Sequence, residues 1–453
     1  MVVSRLSSGD TIVAVATPPG RGGIAVIRIS GPAVPDIAGA LLGRLPEPRL
    51  ADLATFLDGA GASLDTGIAL FFPAPRSFTG EDVLELQSHG SPVVCELLVE
   101  RILELGARLA DPGEFSRRAF LNDKLDLSQA EAIADLVDSG SRAAARAAQR
   151  SLRGEFSALI LAANERVTAL RMYVEAAIDF PDEEIDFLND EALKVRLNEV
   201  SEEFDKLERT VRQGCLLRDG IQVVLAGRPN AGKSSVLNAL TGYETAIVTD
   251  VPGTTRDLVK EHIEIDGLPV HVVDTAGLRG DAGRVEQEGI RRARQQLTEA
   301  DHALLIIDVT TTDDSEIQTL LSELPDDLGY TVVKNKIDLT GDLAGLVPDQ
   351  PTIVNVSALT GDGIAELKEH VKRSVGFEMA SEGLVTARQR HLDSLKKARR
   401  HFEIGRRQLE DNHAGDLMAD ELLQVQNSLA EITGEFSSDD LLGRIFAGFC
   451  IGK

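Results

Sequence analysis

Cysteine is scarce in this chain: Cys95, Cys215 and Cys450 are the three among 453 residues. So sparse and odd a set excludes a disulfide scaffold and fits a reducing cytosol. The opening "MVVSRLSSGDTIVAVATPPG" has too short an apolar stretch for a secretory signal. No run of about 18 apolar residues occurs, so no membrane-spanning helix is expected and a cytoplasmic location is predicted. Positive charge is also in deficit, with 47 Lys and Arg against 73 Asp and Glu and a net charge of −26. Neutralising phosphates supplies most of a nucleic-acid binder's affinity, so this balance argues against strong, autonomous RNA or DNA binding. A local basic face or a basic partner could still reverse it. Neither internal repeats nor low-complexity segments stand out.

What is present is enough apolar material for real cores, at 43% hydrophobic residues, over a length that suits two to four domains. Residues 1 to about 120 alternate short strand-like and helix-like stretches. "TIVAVAT" (11–17), "IAVIRIS" (24–30), "GIALFF" (67–72) and "VLELQSH" (83–89) read as strands. "SPVVCELLVERILELGA" reads as a helix with Ser91 as N-cap and Pro92 at its first position. From about Leu127 the texture becomes Ala-rich with apolar positions at helical spacing, broken at Ser139-Gly140-Ser141. Strands and helices alternate again from Ile221 to about Val375, and helix follows to near the end. The simplest arrangement is an α/β domain inserted between two halves of one helical domain.

The segment "GRPNAGKS" (Gly227–Ser234) fits G-x-x-x-x-G-K-[ST], follows the strand "QVVLAG" and opens the helix "KSSVLNALTG". Its glycines let backbone amides wrap phosphates at a helix start. Asn230, Ala231, Gly232, Lys233, Ser234 and Ser235 are the expected contacts. Lys233 would reach the β- and γ-phosphates and the Ser234 hydroxyl would ligate Mg²⁺. Three further pieces stand in order: "DTAG" (Asp274, Thr275, Ala276, Gly277), "NKID" (Asn335, Lys336, Asp338) and "SAL" (Ser357, Ala358), each at a strand end. Asp338 can accept from both N1–H and the exocyclic amine of guanine. Adenine offers neither, and each unpaired partner costs on the order of 1–3 kcal/mol. The four pieces together predict a GTPase.

Ras-like GTPases place a water-orienting Gln after the D-T-A-G glycine. Here that position is Leu278, so the water must be held from elsewhere, with Asp281, Glu286 and Glu288 nearby in sequence. Arg256 and Arg279 are candidates for an arginine finger or for ordinary ion pairs. "TDVPGTTRD" (Thr249–Asp257) has the position of switch I, with one of its threonines closing the Mg²⁺ shell.

Taken with "ATPPGRGGIAVIRISG", "SFTGEDVLELQSHG", "GEFSRRAFLNDKLDLSQAEAIADL", "DTAGLR" and the terminal "FCIGK", the chain resembles the MnmE (TrmE) family of bacterial tRNA-modification GTPases. The resemblance covers essentially the whole chain. It implies an N-terminal folate-binding α/β domain (1–120), a helical domain in two halves (121–218 and 377–453) and a Ras-like P-loop G domain (219–376) inserted in it. It implies GTP hydrolysis coupled to building a carboxymethylaminomethyl-type group on C5 of the wobble uridine of certain tRNAs. A 5-formyl- or 5,10-methylene-tetrahydrofolate would supply the one-carbon unit. A flavoprotein partner carrying FAD, MnmG (GidA), would complete a heterotetramer with a homodimer of this chain.

The family's folate contacts map onto Arg28, Glu85, Lys124 and Lys453. A carboxylate suits the amide-like edge of a pterin, and cationic side chains suit its anionic tail. Read alone, Arg28, Glu85 and Lys124 are solvated surface charges. The resemblance also implies that K⁺ replaces the arginine finger. Its ligands map to Asn230, Thr249, Val251 and Thr254, with Mg²⁺ on Ser234 and Thr255. Glu286 takes the water-orienting role, and the K⁺ site forms as two G domains meet.

The rival reading is a ribosome-assembly GTPase of the Era type switching on rRNA through a GxxG loop, a pattern that "GRGG" (Gly20–Gly23) matches. It reads better as a turn between strands. A dynamin-like switch would leave the N-terminal domain without a role. The most basic stretch, 386–408, reads either as a solvated face compensating the acidic segment 179–190 or as a tRNA or partner face. Cys450 has the position of a prenylation box, but Lys453 is outside the residues such boxes end in, so no lipid anchor is expected. Cys450 is left as a candidate for chemistry on the uridine or as an inert buried thiol.

Overall fold

The computed structural model describes residues 9–179, 191–241, 260–274, 297–378, 383–435, 439–449 and 452. The N-terminal stretch forms β1 (Ile12–Val15), β2 (Ala25–Ser30), α1 (Val34–Leu42), β3 (Asp52–Leu57), β4 (Ser63–Phe72), β5 (Val83–Ser88), α2 (Pro92–Glu104), β6 (Arg108–Leu109) and α3 (Glu114–Leu121). Helices α4 (Leu127–Val137), α5 (Arg142–Leu152), α6 (Glu155–Asp179) and α7 (Glu191–Asp219) follow. Next come β7 (Ile221–Ala226), α8 (Lys233–Thr241), β8 (Lys260–Ile265), β9 (Leu268–Asp274), β10 (His302–Asp308), α9 (Asp314–Leu321) and β11 (Tyr330–Asn335). The remainder is β12 (Gly345–Val347), β13 (Gln350–Val356), α10 (Ile364–Ser374), α11 (Gln389–Asn412), α12 (Gly415–Thr433) and α13 (Asp439–Ala447). The break at Ser139–Ser141 falls between α4 and α5, as expected from the sequence.

Two compact units result. The first is Met1–Ala134, Ser157–Asp179 and His401–Lys453; the second is Asp135–Phe156 and Phe180–Arg400. No helix among the described residues is long and apolar enough to cross a membrane.

In the first unit the sheet order is β3-β4-β5-β2-β1-β6. Strand alternation decides what each face carries. In β2, Ala25, Ile27 and Ile29 are buried while Arg28 is half-buried. In β5, Leu84 and Leu86 are buried while Glu85 is half-buried. The antiparallel register sets Arg28 opposite Glu85, so both charges leave the core on the same face. "GRGG" lies in the connection between the antiparallel neighbours β1 and β2, and Gly22 N–H donates to Gly90 O at 2.9 Å, so it sits between strands as read from the sequence. Ser91 occupies the start of α2 in an extended conformation, but its side chain makes no capping hydrogen bond, so Pro92 alone marks that start.

The same unit holds an ionic cluster centred on buried Arg118 and Glu114. Arg118 Nη2 reaches Asp10 at 2.9 Å and Glu114 at 2.9 Å, while its Nη1 lies 3.1 Å from Glu81. Arg108 pairs with Asp10 and Glu114, each at 2.5 Å. Burial alone would raise the Glu114 carboxyl, but hydrogen bonds from Arg108, the Asp111 amide and Arg118 hold it below the usual carboxylate range. Nearby, α13 closes on α3 and α4 through Leu127, Ala130, Leu442, Phe446 and Phe449.

In the second unit the order is β12-β13-β11-β10-β7-β9-β8, with β13, β11, β10, β7 and β9 parallel and β8 antiparallel to β9. The parallel strands are buried on both faces, which is why β10 reads as the near-continuous apolar run "HALLIID". The β8–β9 hairpin leads from the switch I segment to "DTAG". Its turn is gripped by Ser141 Oγ, donating to Gly267 O at 3.0 Å, and by Lys372 Nζ, 2.8 Å from Asp266. Asp135 of α4 accepts from Arg218 Nε at 2.9 Å and Arg388 Nη2 at 2.7 Å. Within the basic stretch, Arg399 pairs with Asp205 of α7 at 2.7 Å. In the first unit Arg406 pairs with Glu410 at 2.7 Å. Compensation by α7 is therefore part of that stretch's role, while most of the acidic segment 179–190 lies outside the described residues.

His302, at the start of β10, is buried with Nε2 2.8 Å from Thr331 Oγ1, and burial pushes its pKa down to about 4. The depressed value means that the unfolded chain binds this proton first as pH falls. Stability held above the ordinary value near 6.5 is therefore lost progressively toward pH 4, by up to about 3 kcal/mol for this group. Denaturant unfolding followed from pH 7 to 4 should show a component of that slope that disappears in His302→Leu.

Candidate active site

Open parallel sheets bind ligands at the carboxyl ends of their strands, and the predicted pieces gather there. β7 ends at Ala226 and α8 begins at Lys233, so the loop between them presents a helix N-terminus. Lys233 is buried, and its Nζ donates to the carbonyls of Gly227 and Arg228, each at 3.1 Å. A phosphate oxygen can replace either carbonyl at no cost in buried charge. Ser234 and Ser235 are exposed in the first turn of α8, where a hydroxyl can face a metal ion. Asp274 ends β9 in register with Leu225 of β7, which places its backbone beside the root of the P-loop.

The base end is built around Asn335. Its Nδ2 donates to Ala231 O at 3.0 Å, and its Oδ1 accepts from Ala358 N at 3.1 Å. A Cβ on Gly232 would collide with that Nδ2, so only glycine lets the P-loop pass so close. Asp338 is exposed, and its Oδ1 accepts from Ser357 Oγ at 2.6 Å. That bond aims a carboxylate at the space where a guanine edge would lie. Lys336 Nζ bridges Asn230 O at 3.2 Å and Asp308 Oδ2 at 2.5 Å. Asp308 was not singled out from the sequence. Its signal was a carboxylate ending a buried parallel strand in register with Asn335.

A second grouping lies on the first unit's sheet. Arg28 Nε pairs with Glu85 at 2.8 Å, and the guanidinium carbon lies 5.4 Å from the Phe78 ring centroid and 5.7 Å from that of Phe115. Arg28 Nη1 also donates to Gly452 O at 3.4 Å. A Cβ at Gly452 would meet Val15 O at 2.6 Å, so this tail residue is pressed onto the end of β1. Lys124 Nζ donates to Pro75 O at 2.9 Å, and Asn122 Nδ2 to Thr79 O at 2.7 Å, fastening the loop that carries Phe78. Thr249, Val251, Thr254, Thr255, Thr275, Ala276, Gly277, Glu286, Cys450 and Lys453 lie outside the described residues, as do Arg256, Leu278 and Arg279.

Two family models match: "GTP-binding protein TrmE N-terminus" over residues 11–124 and "MnmE helical domain" over residues 127–450. A protein of Yersinia pseudotuberculosis serotype IB named tRNA modification GTPase MnmE is 57% identical over 99% of this chain and 100% of its own length. The chain belongs to the MnmE (TrmE) family. The protein of the same name from Yersinia pestis bv. Antiqua (strain Angola) is likewise 57% identical, over the same shares of both chains. Among solved structures, the G domain of the T. maritima FeoB iron transporter is 27% identical over 34% of this chain and 98% of its own, with a TM-score of 0.26. The TrmE N-terminal and MnmE helical matches, with the parallel-sheet P-loop unit described above, agree with the fold class read from the sequence.

In this MnmE-family chain, Asp338→Asn should lower GTP affinity about 100-fold, because the new amide can still accept from guanine N1–H but sets a donor against the exocyclic amine. The same variant should take up xanthosine triphosphate, whose C2 carbonyl can accept from the new amide. Competition between the two nucleotides in a turnover assay checks this.

Proposed function

We propose that this chain is a K⁺-activated GTP hydrolase that, with the flavoprotein MnmG (GidA), adds a carboxymethylaminomethyl-type group to C5 of wobble uridine in certain tRNAs. That it is a GTPase of tRNA modification follows from its family. The observation carrying the reading is the 57% identity to tRNA modification GTPase MnmE over 99% of this chain and 100% of that protein. The finer reading comprises the division 1–120, 121–218, 219–376 and 377–453, the homodimer, the heterotetramer with an FAD-carrying partner, K⁺, and a tetrahydrofolate one-carbon donor.

The residues present suit these groups. Asn230 is exposed on the P-loop with its backbone carbonyl held by Lys336, so an amide oxygen there can ligate a monovalent cation beside the phosphates. Thr249, Val251 and Thr254 would complete that shell, and Ser234 with Thr255 would hold Mg²⁺. K⁺ would supply the positive charge that an arginine finger brings elsewhere. Glu286 would orient the attacking water in place of the glutamine that Leu278 displaces. Arg28 and Glu85, backed by two aromatic rings, offer a carboxylate and a guanidinium to a flat heteroaromatic ligand with an anionic tail. Lys124 and Lys453 would serve the same ligand. When bound, folate supplies the carbon, and FAD on the partner the redox step.

GTP turnover by the chain should rise at least about tenfold when Na⁺ is exchanged for K⁺ at equal ionic strength, the effect expected of one well-placed charge. Turnover indifferent to the cation would remove K⁺ from the mechanism. In a reconstitution with the flavoprotein and tRNA, Cys450→Ser should abolish the modified uridine while GTP hydrolysis persists; full modification by that variant would return this cysteine to packing.

A further inference from the structure

The P-loop and the "NKID" strand end each contain a non-glycine residue in the left-handed region, Asn230 at φ 64° and Lys336 at φ 71°. Such backbone persists only where its surroundings hold it. The two are held against each other, because Lys336 Nζ donates to Asn230 O at 3.2 Å. The next residues repeat the tie in parallel, with Asn335 Nδ2 donating to Ala231 O at 3.0 Å. Arg228, Pro229, Asn230 and Ala231 also border a cavity of about 330 Å³ shared with Ile306, Asp308 and Glu316. Besides the burial of Ala231, these two polar ties hold the loop's backbone.

Asp308 anchors this arrangement. One carboxylate oxygen holds Lys336 Nζ at 2.5 Å. The other accepts from Thr310 N at 3.0 Å and from Thr310 Oγ1 at 2.6 Å. Burial tends to raise this carboxyl, but the bonds from Lys336 and Thr310 outweigh it and hold it below the usual range. With both oxygens engaged, the carboxylate cannot rotate away, and the lysine it grips has one place to put its ammonium.

We propose that Asp308 is a positioning residue of the GTP site: by holding Lys336, it fixes the P-loop backbone at Asn230 in the geometry that receives nucleotide. The opposite expectation follows from charge alone. A carboxylate near the P-loop repels an anionic nucleotide, so on electrostatic grounds its neutralisation tightens binding. The sign of the effect therefore separates the two roles.

The test uses the full chain with GTP and Mg²⁺, and compares Asp308→Asn, Asp308→Glu, Lys336→Gln and the Asp308→Asn/Lys336→Gln pair. Asp308→Asn should raise KM for GTP and the dissociation rate of a fluorescent GDP about tenfold, the worth of one charge-assisted tie, with kcat at saturating GTP within about twofold. Asp308→Glu should recover part of the loss. The double variant should be no worse than Lys336→Gln alone, since both changes cut one chain of contacts. Tighter binding in Asp308→Asn, or losses that simply add in the double variant, would overturn the proposal. So would a lowered melting temperature with KM unchanged, which is what a purely structural ion pair gives.

Discussion

A buried primary amide must satisfy both its ends, and Asn335 does so across three loops. Its nitrogen is committed to the P-loop at Ala231 and its oxygen to the backbone at Ala358. The side chain therefore measures the distance between the phosphate end and the base end of the site. The rest of the G domain is arranged to keep that measure true. Three adjacent parallel strands, β7, β10 and β11, deliver the P-loop, Asp308 and Asn335 side by side. Ser357 aims Asp338 from the end of β13, one strand further. Only a parallel sheet whose strands all finish at one edge could bring these four contributions together without long loops.

The first unit solves a different problem by similar means. Its sheet carries Arg28 and Glu85 on one face, and its ends are tied by ion pairs. These form a cluster in which two arginines and three carboxylates are all multiply bonded. Breaking one partner of such a buried set leaves a charge uncompensated, which typically costs 3–5 kcal/mol, roughly half the stability of many domains. Glu81 belongs to this cluster and also accepts from Ser30 Oγ at 2.7 Å, so it links β2 to the loop that carries Phe78. The ionic cluster and the strand that carries Arg28 are thus joined through one carboxylate.

Much of this was legible in the sequence where function is written locally. The strand "YTVVKN" and the P-loop's strand–loop–helix setting were read at their actual positions because apolar runs, glycines and the G-K-S ending all act within a few residues. Two elements were not read at all: β3, "DLATFL", lacks a clear alternation, and α1, "VPDIAGALL", has a helical period but spans only 9 residues. Pairings were the least legible. Arg118 finds Asp10 across 108 positions, and nothing in either residue names the other. Asp308 was overlooked for the same reason: sequence gives the side chain, while the fold gives its partner. Ser91 illustrates the converse, a residue of the right type at a helix start whose side chain does not cap it.

Among the described residues both cysteines are chemically quiet. Cys95 is buried in α2, and burial, with Asp219 adding its charge, pushes the Cys215 thiol up to about 12. At neutral pH Cys215 offers little thiolate to an alkylating or oxidising reagent, and burial shields Cys95 from one. The chain thus comes with a low background for sulfur chemistry, and labelling stoichiometry becomes a direct gauge of its third cysteine. A probe of that residue's accessibility through the nucleotide cycle needs no cysteine-free variant, so it can be run on the natural sequence.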